Sequence, residues 1–404
     1  MHLLLHPPPR ISVPCCKTWR PHRKFNATIV KRAHIHSKNT RPFDILFFGR
    51  DEFSCIVLNE LYTARDVWSS ISIATNPDVK TGRRGAHLSI SPLKTLGESL
   101  GVPVHTIPRE KPAFRHWLPP SPFSGSGNAH HLLITASFGR IIPAPLLHLF
   151  PEGRRLNVHP SLLPSYRGPA PIQRALMQGE RDTGVCIIDM MEVRRKRLSE
   201  AGGEKENRSP SGGGIDAGSI WGHVGMPVPR DATFSSLRDA LAQTGGKLLV
   251  AVIRDMLAGR ASCTAQAPVL ASTPRASAIT ATDALVDFEK MSAEDIERLH
   301  RAIGHQKPIT AFLPTGKSLQ LHSLSVLPAQ SVPFDTPGLA SYSSQTRALL
   351  VPCAGGGVLS VGHVKQQDRA LLASREWWNG VKGLGLVGEE GGIQLRSNPD
   401  LVTH

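Results

Sequence analysis

Short apolar runs that end on glycine or a polar turn, separated by stretches of helical spacing, constrain this chain more than any other feature. Asp44-Ile-Leu-Phe-Phe-Gly49 is followed by a helical pattern through Leu61; Ile71 to Thr75, Val102 to Ile107 and Leu132 to Gly139 repeat the run, with a short helix over Pro92 to Leu100. Runs of this length and composition read as strands buried on both faces, and their alternation with helices predicts an open, twisted, parallel α/β sheet. In such sheets ligands sit outside the carboxyl ends of the strands. Gly49, Gly139 and the loop from Asn157 to Pro171 all fall at such ends and converge on one crevice. A nicotinamide or flavin fingerprint needs further glycines at the first turn, and only Gly49 is present.

The chemistry concentrates between Leu156 and Met191. If Leu156 to His159 ends a strand, Asn157 and His159 project from the same face, because side chains alternate. A neutral imidazole exchanges a proton near pH 7, and a side-chain amide offers N–H donors to a developing oxyanion. Pro160 and Pro164 stiffen the following turn, and Gly168, Pro169 and Pro171 lead into a helix over Pro171 to Gln178. Gly184 to Ile188 is a further buried strand. Residues 193–213 then have a disordered composition, and Asp216 follows on a tight turn. Taken alone, Asp216 reads as a turn former or as a carboxylate serving the site.

The sequence has 404 residues, 40% hydrophobic and 20% charged, which suits two soluble domains with extensions. No run of about 18 uncharged apolar residues is present, so no membrane partner is expected. The formal charge of +15 is unevenly placed. Residues 1–43 contain nine Lys or Arg residues and no acid; removing those nine from 47 leaves 38 bases against 32 acids, or +6. An acid-free basic leader without a long apolar core predicts a mitochondrial targeting segment over residues 1–42 and residence in the matrix; a basic arm for nucleic acid is the alternative. Lys80, Arg83 and Arg84 form a second basic loop, able to grip phosphates or simply solvated. The six cysteines include no C-x-x-C pair and no matching histidine cluster, so neither a metal site nor a disulfide framework is expected.

Downstream, apolar spacing predicts a long helix over Thr233 to Ala258, with Gly245-Gly246 as a weak point. A Pro/Ala/Ser-rich linker covers 265–278. A helix at Ser292 to Ile303 precedes short strands at Ile309 to Leu313, Ser318 to Val326, Ala348 to Pro352 and Gly357 to Val364, consistent with a small barrel. A last helix is expected over Asp368 to Asn379, and a flexible tail over 389–404.

Asn157-Val-His-Pro-Ser-Leu-Leu-Pro-Ser-Tyr-Arg-Gly-Pro-Ala-Pro-Ile-Gln173, with Thr183-Gly-Val185 and Ile215-Asp-Ala-Gly218, resembles the folate-dependent formyltransferases, most closely their methionyl-tRNA branch. The resemblance covers about Phe43 to Lys382. It implies a Rossmann-like catalytic domain over 43–264, interrupted by the insert at 193–213, and a C-terminal OB-like tRNA-binding barrel over 279–388. It also implies 10-formyltetrahydrofolate as donor, no metal, and initiator methionyl-tRNA as acceptor; a monomer is expected. Carried over residue by residue, the catalytic trio falls on Asn157, His159 and Asp216. Ser161, Leu162, Leu163 and Pro164, with Gly139, take the folate-contacting positions; Lys80, Arg83, Arg84 and Arg167 take those that reach tRNA. Ala217 replaces the family's usual threonine, and Pro160 its frequent glycine. Two other readings are formyl transfer to a small amine, such as glycinamide ribonucleotide or an amino sugar, and a tRNA-binding homologue with impaired catalysis.

Overall fold

The computed structural model describes residues 41–81, 86–125, 127–192, 214–328 and 335–397. In chain order its first half comprises β1 (Phe43–Phe48), α1 (Glu52–Thr63), β2 (Trp68–Thr75), β3 (Val79–Thr81), β4 (His87–Ser89), α2 (Pro92–Ser99), β5 (Val104–Thr106), α3 (Lys111–Arg115), β6 (His131–Ala136), α4 (Ala144–Leu147), β7 (Arg155–His159), α5 (Pro171–Met177), β8 (Asp182–Asp189), β9 (Ile220–Pro227) and α6 (Phe234–Leu257). The second half holds α7 (Ala293–Ile303), β10 (Ile309–Phe312), β11 (Ser318–Leu327), β12 (Leu339–Ser343), β13 (Ala348–Pro352), β14 (Val358–Gln366), β15 (Leu371–Ala373), α8 (Ser374–Gly383) and β16 (Ile393–Gln394).

The first sheet runs β5-β2-β1-β6-β7-β8-β9. The first five strands are parallel, as the apolar runs predict, and β1 is buried at every residue. The last two depart from the parallel expectation, since β8 pairs antiparallel with β7 and β9 antiparallel with β8. No strand is expected at β9 from the residues alone, because Ile220-Trp-Gly-His-Val-Gly-Met-Pro227 carries two glycines and a histidine and is exposed along much of its length. Another departure is the basic loop after β2, where β3 and β4 pair as a hairpin. Arg83 and Arg84 lie outside the described residues, as do the insert at 193–213 and nearly all of the basic leader.

Helix boundaries follow local chemistry. The Asp51 side chain accepts from Ser54 N at the start of α1, Thr233 and Ser236 form a reciprocal capping box on α6, and Ser292 and Asp295 do the same on α7. Gly245-Gly246 is not the weak point that its helix propensity suggests: α6 is continuous through it. A Cβ on Gly245 would lie 2.8 Å from Val158 Cγ1, and one on Gly246 2.7 Å from Glu60 Cβ. The glycines let α6 lie directly on β7 and on α1, so packing outweighs propensity. Leu156 and Val158 point into this core, which leaves Asn157 and His159 on the opposite face of β7.

The second sheet is antiparallel, ordered β10-β11-β14-β13-β12-β16, with β15 on β14. A two-way backbone bridge between Phe312 and Arg396, each N–H donating at 2.8 Å, joins the end of β10 to the chain just after β16 and closes the barrel. This corrects the expected flexible tail, since Ile393 and Leu395 are buried and the segment through Arg396 completes the sheet. Residues 398–404 lie outside the described residues. The last helix also starts later than its pattern suggests, because Leu371–Ala373 is taken up by β15; Trp377 and Trp378 are buried on it.

Substituting Gly245→Val places three carbons against Val158 and Val185, and overpacking of this kind costs about 1–3 kcal/mol or more. Urea denaturation should show a lowered midpoint; a midpoint equal to or above the parent's contradicts the packing account.

Candidate active site

β7 presents Asn157 and His159 beside Thr135 on β6, in register with Asn157. Thr135 Oγ1 donates to Asn157 Oδ1 at 2.8 Å. That contact turns the amide so that Nδ2, which makes no hydrogen bond among the described residues, faces away from Thr135 as a free donor. Gly49 lies close by: a Cβ there would come within 2.9 Å of the Ala136 carbonyl oxygen. The carboxyl ends of β1, β6 and β7 thus form one edge, as the strand pattern anticipates.

His159 is 3% exposed and has a polar neighbour at each ring nitrogen. Nδ1 lies 3.0 Å from Ser161 Oγ, and that hydroxyl donates to the Ser165 carbonyl at 2.9 Å. A hydroxyl that gives its only proton to a carbonyl must accept from the ring, so Nδ1 carries a proton. Nε2 lies 3.2 Å from Asp216 Oδ2, within ion-pair distance, yet it makes no hydrogen bond among the described residues. Nε2 is therefore a buried polar atom with capacity to spare.

Asp216 approaches from the turn before β9, with φ of 58° in the left-handed region that L residues rarely adopt. Its Oδ2 also accepts the Gly168 N–H at 3.0 Å. Burial pushes the carboxyl pKa up, but the His159 ring, the Gly168 N–H and the Arg167 charge outweigh it and hold the group below its ordinary value. Two glycines allow this closeness: a Cβ on Gly168, at φ 127°, would strike the Ala276 carbonyl oxygen at 2.5 Å, and one on Gly218 the Asp189 carbonyl oxygen at 1.7 Å.

Asn157, His159 and Asp216 are therefore assembled together. Of the positions expected to touch folate, Ser161 is buried against His159, and Leu163 packs with Cys186 and Ile188. Leu162 lies against Gly184 and is half-buried, as is Pro164, which follows a cis peptide bond. Gly139 stands at the other rim, where the Arg50 guanidinium lies against it. Lys80 is exposed on β3. Arg167 faces inward: its Nε and Nη2 both donate to Gln266 Oε1, at 2.9 and 2.5 Å.

Three polar residues near the site escape a reading of the sequence. Thr135 sits inside an apolar strand run with nothing to mark it. Gln266 lies in a segment whose composition reads only as linker. Asp189 ends β8, and burial raises its pKa to about 6, with Oδ1 unpartnered; a lone acid at a strand end carries no distinguishing spacing. Among the described residues, no group of three or more His, Cys, Asp or Glu is placed to hold a metal ion.

Comparison with known proteins places this geometry. Residues 46–193 match the family described as formyl transferase, and residues 278–382 match the formyl transferase C-terminal domain. The mitochondrial methionyl-tRNA formyltransferase of Rattus norvegicus is 30% identical over 388 residues, 91% of this chain and 88% of that one. The methionyl-tRNA formyltransferase of Acidithiobacillus ferrooxidans is 32% identical over 331 residues, 78% of this chain and 93% of its own. Among solved structures, a sugar 3N-formyl transferase crystallised with dTDP and 5-N-formyl-THF superposes with a TM-score of 0.53 at 14% identity, over 82% of this chain and 100% of that one, and so shares the fold. The chain belongs to the methionyl-tRNA formyltransferase family.

Proposed function

We propose that this protein transfers the formyl group of 10-formyltetrahydrofolate to the α-amino group of initiator methionyl-tRNA, in the mitochondrial matrix. The observation that carries this reading is the His159 Nε2 to Asp216 Oδ2 contact of 3.2 Å beside an Asn157 amide whose nitrogen is unengaged. Formyl transfer to an amine needs those groups. The neutral amine adds to the formyl carbon, a tetrahedral oxyanion forms, the amine loses a proton and the bond to folate N10 breaks as that nitrogen regains one. Asn157 Nδ2 donates to the oxyanion, a contribution of about 3–4 kcal/mol in comparable sites. His159 Nε2, without a hydrogen-bond partner among the described residues, lies beside the same oxygen. The ionised Asp216 holds the imidazole in place and accepts the proton that the amine sheds. The buried, unpartnered His159 nitrogen and the free amide nitrogen at one edge of the sheet fit a formyl-bearing donor. No covalent enzyme intermediate is required, and burial pushes the Cys186 thiol up to about 11, which suits a structural rather than a nucleophilic role.

The acid-free leader and the mitochondrial relatives in Rattus norvegicus and Homo sapiens support import. The basic residues Lys80, Arg83 and Arg84 and the C-terminal barrel support a tRNA acceptor over a small amine. Arg167, with Nε and Nη2 engaged by Gln266, has an Nη1 that makes no hydrogen bond among the described residues and is offered to a phosphate.

The decisive assay incubates the protein with 10-formyltetrahydrofolate and either methionyl-tRNA or glycinamide ribonucleotide. Formyl-methionyl-tRNA is the expected product; its absence with folded protein, or preference for the ribonucleotide, overturns the assignment. Asn157→Ala and His159→Ala should each lower kcat by at least about 100-fold, the scale of losing an oxyanion donor, with tRNA binding retained in filter assays. Loss of binding with kcat preserved would remove both from the chemistry. Changing Lys80, Arg83 and Arg84 together to alanine should weaken tRNA binding and flatten its salt dependence, by about 0.7–0.9 in logarithmic slope for each phosphate no longer neutralised. An unchanged slope contradicts their role.

A further inference from the structure

The catalytic trio does not by itself explain what holds Asp216 in place. Its turn, from Gly214 to Ser219, contains a non-glycine residue at φ 58°, and backbone of that kind persists only where its surroundings fix it. One side chain binds the turn's carbonyls. Gln266 Nε2 donates to the carbonyl oxygens of both Asp216 and Gly218, each at 2.7 Å. Its Oε1 meanwhile accepts from Nε and Nη2 of Arg167. The amide can sit only this way round. Carbonyls cannot donate and a guanidinium cannot accept, so a flipped Gln266 would set like against like at all four contacts.

Gln266 belongs to the chain between the two sheets, which is docked rather than free. Thr264 and Ile220 exchange backbone hydrogen bonds, the Tyr166 N–H donates to the Pro274 carbonyl at 2.7 Å, and Ala276 N–H donates to the Arg167 carbonyl at 2.9 Å. Downstream, Arg174 holds the Ser277 and Ala278 carbonyls and pairs with Asp283 at 2.6 Å. The connecting segment therefore lies along the Tyr166 to Ala170 loop, which supplies the Gly168 N–H to Asp216, and along the turn that carries Asp216 itself.

We infer that Gln266 is a positioning residue for formyl transfer, clamping the Asp216 turn to the Arg167–Gly168 loop so that the carboxylate stays against His159. This rests on the proposed role of the His159–Asp216 pair. It also makes the interdomain segment part of the active-site wall, hydrogen-bonded through Gln266 to the turn that carries the catalytic carboxylate.

Two substitutions separate the hydrogen bonds. Gln266→Met keeps the length and removes every one of them, whereas Gln266→Glu keeps an acceptor for Arg167 but removes the donor to the Asp216 and Gly218 carbonyls. With full-length enzyme, 10-formyltetrahydrofolate and methionyl-tRNA, both variants should lose about 10- to 100-fold in kcat, the scale of a misplaced catalytic group, while KM for either substrate moves less than about 3-fold. The kcat–pH profile should shift in both, because the pair's proton affinity depends on its separation. His159 ring 15N shifts should move in Gln266→Glu, a readout that holds even where activity is too low to profile. Parental kcat, pH profile and ring shifts in Gln266→Glu overturn the inference, as does a loss that appears only as a lowered Tm. Failure of the parental enzyme to formylate methionyl-tRNA while Gln266→Glu still moves the ring shifts would overturn the assigned reaction and leave the clamp standing.

Discussion

The contact between His159 and Asp216 organises the first half of this molecule. An imidazole that is 3% exposed and a carboxylate that is largely buried meet at 3.2 Å although 57 positions separate them in the sequence. Either group alone would be poorly tolerated in that setting, because an unpaired buried charge costs several kcal/mol. Together they are compatible, and the lowered Asp216 pKa expresses that compatibility. The features around them serve the same meeting. Gly245 lets α6 press on Val158, which fixes the strand between Asn157 and His159. Ser161 ties Nδ1 down, and Gly168 and Gly218 let the two loops come close enough.

Much of this was legible in the residues. Period-two alternation placed Asn157 and His159 on one face, and apolar runs ending in glycine located the edge on which they sit. What composition hid was every case where a tertiary contact overrides a local preference. Gly245-Gly246 reads as a helix breaker and is a packing surface. Residues after Gly388 read as a tail, but Ile393 and Leu395 are core and the Phe312–Arg396 bridge closes the barrel. β9 reads as irregular because its partner on one side, β8, supplies the order that its own glycines do not.

The site shows the same division. Side chains proposed to do the chemistry have recognisable types, and the family resemblance pointed to all three. Side chains that hold them are ordinary: a threonine in an apolar strand, a serine after a proline and a glutamine in a linker. Gln266 acts through where its chain runs, and no spacing rule reports that. The segment from Thr264 to Asp283 looked like a tether and is instead hydrogen-bonded along the Tyr166 to Ala170 loop and the Asp216 turn.

His159 and Asp216 are held to act as one unit in formyl transfer, and a double-mutant cycle on formylation of methionyl-tRNA tests this most directly. Rates of formation of formyl-methionyl-tRNA are compared for the parent, His159→Ala, Asp216→Asn and the double variant. Groups that work as a unit are strongly non-additive, so the double variant should be no slower than the slower single one, within about 3-fold. Losses that multiply through the cycle would show that the two residues contribute independently and would contradict their action as a unit.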